Sequence, residues 1–487
     1  MDNDTTQYVF DRRRAGLLLH PTSLPRAREE GCLGTESYRF IDFLVNAGFT
    51  VWQMLPQAPT HGDRSPYNCL SVHAGNPAWI CLSRLRDAGW LSGQIDAERR
   101  QGMLREARLG FLDQAGHADR EAFDVFSENN RHWLDDFALF VVLREKHALR
   151  GWFDWPPPLR DRDPEALAEA RATFRDSIAQ VYFEQFAFFR QWMDVKEYAN
   201  GHGVRLFGDI PIYVAHDSAD VWANRQYFDV EDDGRLRSVA GVPPDYFSET
   251  GQRWGNPHYD WNAMERDHFA WWRDRFAASF NLFDLVRVDH FRGFEAYWSI
   301  PADQETAVNG HWCEAPGKAL FETLYKEFAA LPIVAEDLGL ITPEVIALRK
   351  SFGIPGMKVL QFAFDGDANN LYLPHNHERL SVVYTGTQDN DTTVGWFDGL
   401  AREQQDRVMA YLGYPSEKMP WPLIRAACAS VANLAVIPLQ DILSLGSDHR
   451  MNTPGTTEGN WLWQFSWEEL TPELAQRTRE MVLRYGR

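Results

Sequence analysis

The chain has 487 residues, 44% hydrophobic and 24% charged, which marks a globular protein with material for a large core. A formal net charge of −20 and a pI of about 5.2 argue against nucleic acid or an anionic membrane surface as partner. Five scattered cysteines (Cys32, Cys69, Cys81, Cys313, Cys428) show no CxxC spacing, and no stretch approaches the ~18 apolar residues of a membrane span. The cysteines therefore read as reduced thiols, and MDNDTTQYVFDRRRAG lacks the apolar segment of a secretion signal, so a cytoplasmic protein is expected. Nineteen Trp within 14% aromatics supply flat faces that suit sugar rings, although most of them must be core.

In chain order, Ala15 to His20 (AGLLLH) is the first strand expected, and Phe49 to Leu55 the second, after a helix-like Tyr38 to Ala47. Residues 62–77, GDRSPYNCLSVHAGNP, are rich in turn formers, and their Ser65 and Tyr67 either line a pocket or simply pack. From about 78 to 201 the pattern is helical: Phe123, Phe126, Trp133, Phe137 and Phe140 recur at helical spacing, as do Phe183, Phe186, Phe189 and Trp192. An aromatic stripe of that period reads as core. Val204 to Ile212 resumes the strands, with Asp209 near its end. The long loop at 240–261, AGVPPDYFSETGQRWGNPHYDW, carries Tyr246, Phe247 and Trp254, which either form a lid and sugar-stacking wall or pin the loop as a small core of its own.

The stretch Asp284 to Trp298, DLVRVDHFRGFEAYW, is the most informative. Leu285, Val286 and Val288 suit a strand buried on both faces, and Arg287 and Asp289 leave it on one side. An acid two residues after an arginine at a strand's end is either a catalytic carboxylate kept ionised or a buried structural ion pair. Further strands are expected at Leu285–Val288, Ile333–Ala335, Met357–Phe362, Val382–Thr385 and Leu434–Leu439, eight in all, mostly separated by helical stretches. That alternation predicts a (β/α)8 barrel. The expected division is 1–77, the first barrel strands; 78–201, a helical insertion; and 202–487, the rest of the barrel with a loop insertion at about 231–283. Asp209, Asp289, Glu336, Asp389 and Asp441 close five strands, and strand ends of a barrel converge on one mouth. Paired carboxylates there suit glycosidic-bond chemistry. The text Asp389-Asn390-Asp391-Thr392 leaves a divalent-metal site as the competing reading, without a His partner or a phosphate cradle.

Several blocks carry a family resemblance: HPTSLP (20–25), SPYNCLSVHAGNP (65–77), GDIPIYVAHDSADVW (208–222), GVPPDYFSETGQRWGNP (241–257), RVDHFRGFEAYW (287–298), AEDLG (335–339), YTGT and DND around Gln388 (384–391), and DHRMNTPG with GNWLW (448–463). They run nearly end to end and resemble the amylomaltases, or 4-α-glucanotransferases, of glycoside hydrolase family 77 in the α-amylase superfamily. The resemblance implies a retaining (β/α)8 TIM barrel with a helical insertion and long loops over its mouth. It implies Asp289 as nucleophile, Glu336 as general acid/base and Asp389 as transition-state stabiliser, with Arg287 steadying Asp289. By the same resemblance Tyr67, Ser65, Asp209, Trp254, His290 and Asn460 line the glucan groove, with Tyr246 and Phe247 from the loop. The expected partners are maltooligosaccharides and α-1,4-glucans, with no cofactor and no metal; the oligomeric state stays open and is compatible with a monomer. One position departs: Gln388 stands where the family usually carries a His that bonds a hydroxyl of the transferred sugar, and an amide is neutral at every pH. An α-glucan hydrolase and a non-catalytic glucan-binding barrel are the alternatives, and loss of one of the three acids would have favoured the latter.

Overall fold

The computed structural model describes residues 9–244, 248–328 and 330–487. Twelve strands are numbered in chain order: β1 (Arg14–Leu18), β2 (Val51–Gln53), β3 (Arg205–Pro211), β4 (Ser238–Val242), β5 (Gln252–Arg253), β6 (Leu285–Asp289), β7 (Ala296–Pro301), β8 (His311–Glu314), β9 (Ile333–Ala335), β10 (Gly356–Val359), β11 (Ser381–Tyr384) and β12 (Leu434–Pro438). Eight of them close a barrel in the order β1-β12-β11-β10-β9-β6-β3-β2, every neighbouring pair parallel. These are the eight strands that the sequence predicts. Their ends run shorter: Leu360–Phe362 is a 3-10 turn and Leu439–Ile442 a helical turn, because the chain bends away once a barrel strand reaches the mouth.

Alternation explains why the strands are apolar on both faces. Leu18, Val51, Phe207, Leu285, Val334 and Val382 form one cluster, inside the barrel. Their neighbours Leu17, Leu206, Val286, Val288, Ile333 and Val383 belong to a second, which packs against the surrounding helices. Two residues along from the interior apolar layer, the same face turns polar with Gln53, Asp209, Arg287 and Tyr384, where the Tyr384 hydroxyl donates to Gln53 Oε1 at 2.9 Å. The barrel thus changes from an apolar plug to a polar floor within one strand repeat.

Between β2 and β3 the chain is helical, including Arg100–Gln114, His117–Asn129, Arg131–Lys146 and the 27-residue Arg175–Gly201. Its aromatic stripe is core: Phe137, Phe140, Phe183, Phe186 and Trp192 are buried, and Phe123, Phe126, Trp133 and Phe189 pack against them. The sequence reading missed a four-stranded antiparallel sheet, β5-β4-β7-β8, built from segments on both sides of β6. It takes up both sides of the loop at 240–261, through residues 240–242 of β4 and Gln252–Arg253 of β5, and Trp254 follows directly on β5. Tyr246 and Phe247, expected on that loop, lie outside the described residues. Among the described residues no helix is long and apolar enough to cross a membrane.

Candidate active site

Register brings the polar residues together. In the β3–β6 pairing Asp209 lies opposite Arg287 and Pro211 opposite Asp289. Arg287 reaches both acids, Nη1 to Asp209 Oδ2 at 2.6 Å and Nη2 to Asp289 Oδ1 at 2.5 Å. The two carboxylates are not equivalent. The Asp209 side chain is fully enclosed and also accepts from the Tyr67 hydroxyl at 2.8 Å, whereas that of Asp289 is 30% exposed to the mouth. Burial alone would lower the Arg287 pKa, but the charges of Asp209 and Asp289 outweigh it and hold the guanidinium well above its ordinary value. Asp209 therefore acts as the buried anchor of Arg287, leaving Asp289 the accessible acid.

Glu336 follows β9 directly, and its N–H donates to Val288 O at 3.0 Å, which seats it beside Asp289. Its carboxyl accepts from His290 N at 2.8 Å and from Leu338 N at 2.9 Å. Both bonds favour the ionised form, yet burial, with the charge of Asp289 added, raises Glu336 to about 8. His290 takes a left-handed backbone (φ 52°, ψ 50°), a conformation that costs about 1–3 kcal/mol in a non-glycine residue. That conformation is what aims its N–H at Glu336. The next residue, Asp337, is buried and turned away: it pairs with Arg349 at 3.1 Å and accepts from Met357 N at 2.7 Å. A Cβ on Gly356 would lie 2.4 Å from its Oδ2, so only glycine leaves room for this anchor.

Asp389 stands on the loop after β11, exposed to the mouth. Asn452 Nδ2 donates to its Oδ1 at 2.7 Å, and Arg450 Nη2 to its backbone oxygen at 3.0 Å. Gln388 is buried beside it, and its Nε2 donates to both Asp389 Oδ2 at 2.9 Å and the Tyr67 hydroxyl at 2.8 Å. A continuous polar chain thus runs from Asp389 through Gln388, Tyr67, Asp209 and Arg287 to Asp289.

Trp254 is 38% exposed and meets His290 edge to face at 4.8 Å between ring centroids. Burial lowers the His290 pKa to about 4, so its imidazole is neutral, and its buried Nε2 has no hydrogen-bond partner. Three of the residues singled out from the sequence are engaged by the protein's own groups. Asp441 is not a free acid of the mouth, since it is buried and saturated by Thr385 Oγ1 at 2.6 Å, Thr393 Oγ1 at 2.6 Å and Thr393 N at 2.7 Å. Ser65 serves its own turn, accepting from Tyr67 N at 3.4 Å. Asn460 ties its own loop, accepting from Thr453 N and donating to Thr456 O, both at 2.9 Å. The residue missed is Asn452, which no spacing rule singles out from the block around it. Asp391 binds Thr392 N at 2.7 Å and Ser447 Oγ at 2.8 Å, and among the described residues no three His, Cys, Asp or Glu side chains converge as metal ligands.

A closed parallel barrel with an acid pair at the ends of adjacent strands, a third acid across the mouth and an aromatic wall defines the class of barrel enzymes that work on glycosidic bonds. A family model described as 4-alpha-glucanotransferase matches residues 19–471. The 4-alpha-glucanotransferase of Thermus thermophilus is 48% identical, over 96% of this chain and 98% of its own length, and that of a Synechocystis species is 47% identical, over 98% and 99%. An amylomaltase from Streptococcus agalactiae, solved in complex with acarbose, superposes with a TM-score of 0.94 at 35% identity, covering 98% of this chain and all of that one. The chain belongs to the 4-alpha-glucanotransferase family.

Proposed function

We propose that this enzyme moves a segment of an α-1,4-glucan to the 4-hydroxyl of another glucan or of glucose, with retention. Glu336 gives its proton to the glycosidic oxygen as the Asp289 carboxylate attacks the anomeric carbon. The reducing-end segment leaves with the protonated oxygen as its 4-hydroxyl, and the segment whose anomeric carbon was attacked stays as a β-linked ester on Asp289. Glu336, now ionised, takes the proton of an incoming 4-hydroxyl, whose oxygen displaces Asp289 and restores the α-linkage. The observation that carries this reading is the pairing itself. A carboxyl raised to about 8 is held by the N–H of the residue directly after the accessible carboxylate. Such a pair separates the two roles, since one acid stays protonated near neutral pH beside one kept against a guanidinium.

In this reading Asp389, held by Asn452, grips donor hydroxyls, and Trp254 against the neutral His290 stacks sugar and displaces water. Tyr67, Asp209, Arg287 and Gln388 hold these groups in register. We read 78–201 as an insertion subdomain on a barrel formed by 1–77 and 202–487, acting in the cytoplasm on maltooligosaccharides. Incubation with maltotriose tests the reaction. A ladder of longer and shorter chains is expected, and products no longer than maltotriose would turn the assignment to hydrolysis.

A further inference from the structure

The two N–H groups that hold the Glu336 carboxyl come from different segments, His290 from the turn after β6 and Leu338 from the loop after β9. Two backbone bonds join these segments at their roots: Glu336 N donates to Val288 O at 3.0 Å, and Phe291 N to Glu336 O at 3.1 Å. Further out, a side chain makes the join. Arg292, on the turn Phe291–Phe294, donates through Nη1 to Leu340 O at 2.6 Å. Among the described residues no other hydrogen bond reaches a backbone oxygen of 338–341. The Leu340 side chain is 55% exposed, so it adds little packing to that tie.

Arg292 is itself held from outside. It is buried, and Trp312 of β8 covers it, with the guanidinium carbon 3.8 Å from the ring centroid. Trp312 in turn meets Trp298 of β7 edge to face at 5.2 Å between ring centroids. An aromatic face against a planar guanidinium fixes the plane of its fork, which a lysine ammonium on a flexible stem does not reproduce.

We propose that Arg292 is a positioning residue for the acid/base: clamped by Trp312, it pins the loop 338–341 to the turn after Asp289, so that Leu338 N stays on the Glu336 carboxyl and water is kept from that side of it. The inference rests on the reading of Glu336 given above. Burial is the main reason Glu336 is raised to about 8, so a loosened loop that admits water brings it down toward the ordinary carboxylate range. Asp289 and Arg287 of β6, His290 of the turn and Tyr372 beyond β10 also face Glu336. His290, lowered to about 4, and Tyr372, raised to about 12, are both neutral near pH 8. Arg292 faces Glu295 and Glu344, and loss of its positive charge alone would push Glu336 up rather than down.

The test is the profile of kcat/KM against pH on maltotriose, whose basic limb marks loss of the Glu336 proton, with Tm measured alongside. Arg292→Lys keeps the charge and gives up the flat, forked grip. It should lower kcat by about tenfold with KM little changed, and move the basic limb down from about 8 by about one pH unit. Trp312→Leu leaves Arg292 in place and removes its cover, so the limb should move the same way by less; this variant decides the matter should Arg292→Lys fail to fold. Arg13→Lys supplies the purely structural case. Arg13 donates to Ser430 O at 2.6 Å and Cys428 O at 2.8 Å, ahead of β12 and away from the mouth, and its loss should lower Tm with the limb in place. A lower Tm with the limb still at about 8 in Arg292→Lys, or a limb moved upward, overturns the proposal and spares the functional reading. A basic limb that survives Glu336→Gln overturns the functional reading, and this inference with it.

Discussion

Glu336 accepts two backbone hydrogen bonds that favour its charge, and burial beside Asp289 still raises it to about 8. Its protonated, acid-competent form is therefore populated below about 8 and lost as the pH climbs through that value. The profile of kcat/KM against pH should show a basic limb there, and Glu336→Gln should abolish that limb together with several orders of magnitude of activity on maltotriose. The loss in the first step, read as the rate of a one-equivalent fluoride burst, should shrink with an α-glucosyl fluoride, whose leaving group needs no proton; a burst as slow as cleavage of maltotriose would remove Glu336 from the acid's role. Gln388 is the second case. Both of its amide hydrogens are engaged, one by Tyr67 and one by Asp389, and a neutral imidazole has a single N–H to offer in their place. Gln388→His should therefore lower kcat/KM for disproportionation by about tenfold, the worth of one hydrogen bond, and a gain would show that the pocket is still shaped for imidazole. From sequence Gln388 was visible only as a departure from a family block. Its bridging role needed Tyr67, 321 positions away, to be seen beside it.

A strand end does different things with the same residue type. Asp289 at the end of β6 keeps an exposed face, whereas Asp441 after β12 is enclosed by the two threonine hydroxyls and an N–H of the preceding loop and helix. Asp441→Asn should thus destabilise the fold by about 1.5–3 kcal/mol, read as a lower Tm, without changing the product pattern from maltotriose. A change of products with Tm preserved would return Asp441 to the mouth. Hydrophobic pattern could not separate the two, because both acids follow apolar β-branched strands. The antiparallel platform escaped for a related reason. β5 has only two residues, both exposed, and β8 is mostly exposed, so neither carries the alternation that marks a half-buried strand. Yet this platform carries Trp254. Replacing Trp254 by Ala should raise the ratio of free glucose to elongated chains more than it lowers total donor cleavage, since only the partition of the ester between water and sugar depends on that wall. An unchanged ratio would make Trp254 packing alone.

At the scale of the molecule, the parallel barrel was legible because each of its strands is apolar on both faces and α-helices separate most of them, the link from β10 to β11 with only 3-10 turns being the exception. The convergence of Asp209, Asp289, Glu336 and Asp389 followed from topology alone. Which acid anchors and which attacks did not follow, for that depends on who shares Arg287. The account as a whole holds that Asp289 carries the sugar between donor and acceptor while Glu336 moves the proton. Glu336→Gln with α-glucosyl fluoride tests it most directly, because the fluoride loads the enzyme without an acid and the missing base leaves the ester undischarged. Intact-protein mass spectrometry should show one added glucosyl unit, and peptide mapping should place it on Asp289. An unmodified protein that nevertheless releases fluoride, or a sugar mapped to Asp209 or Asp389, would contradict it.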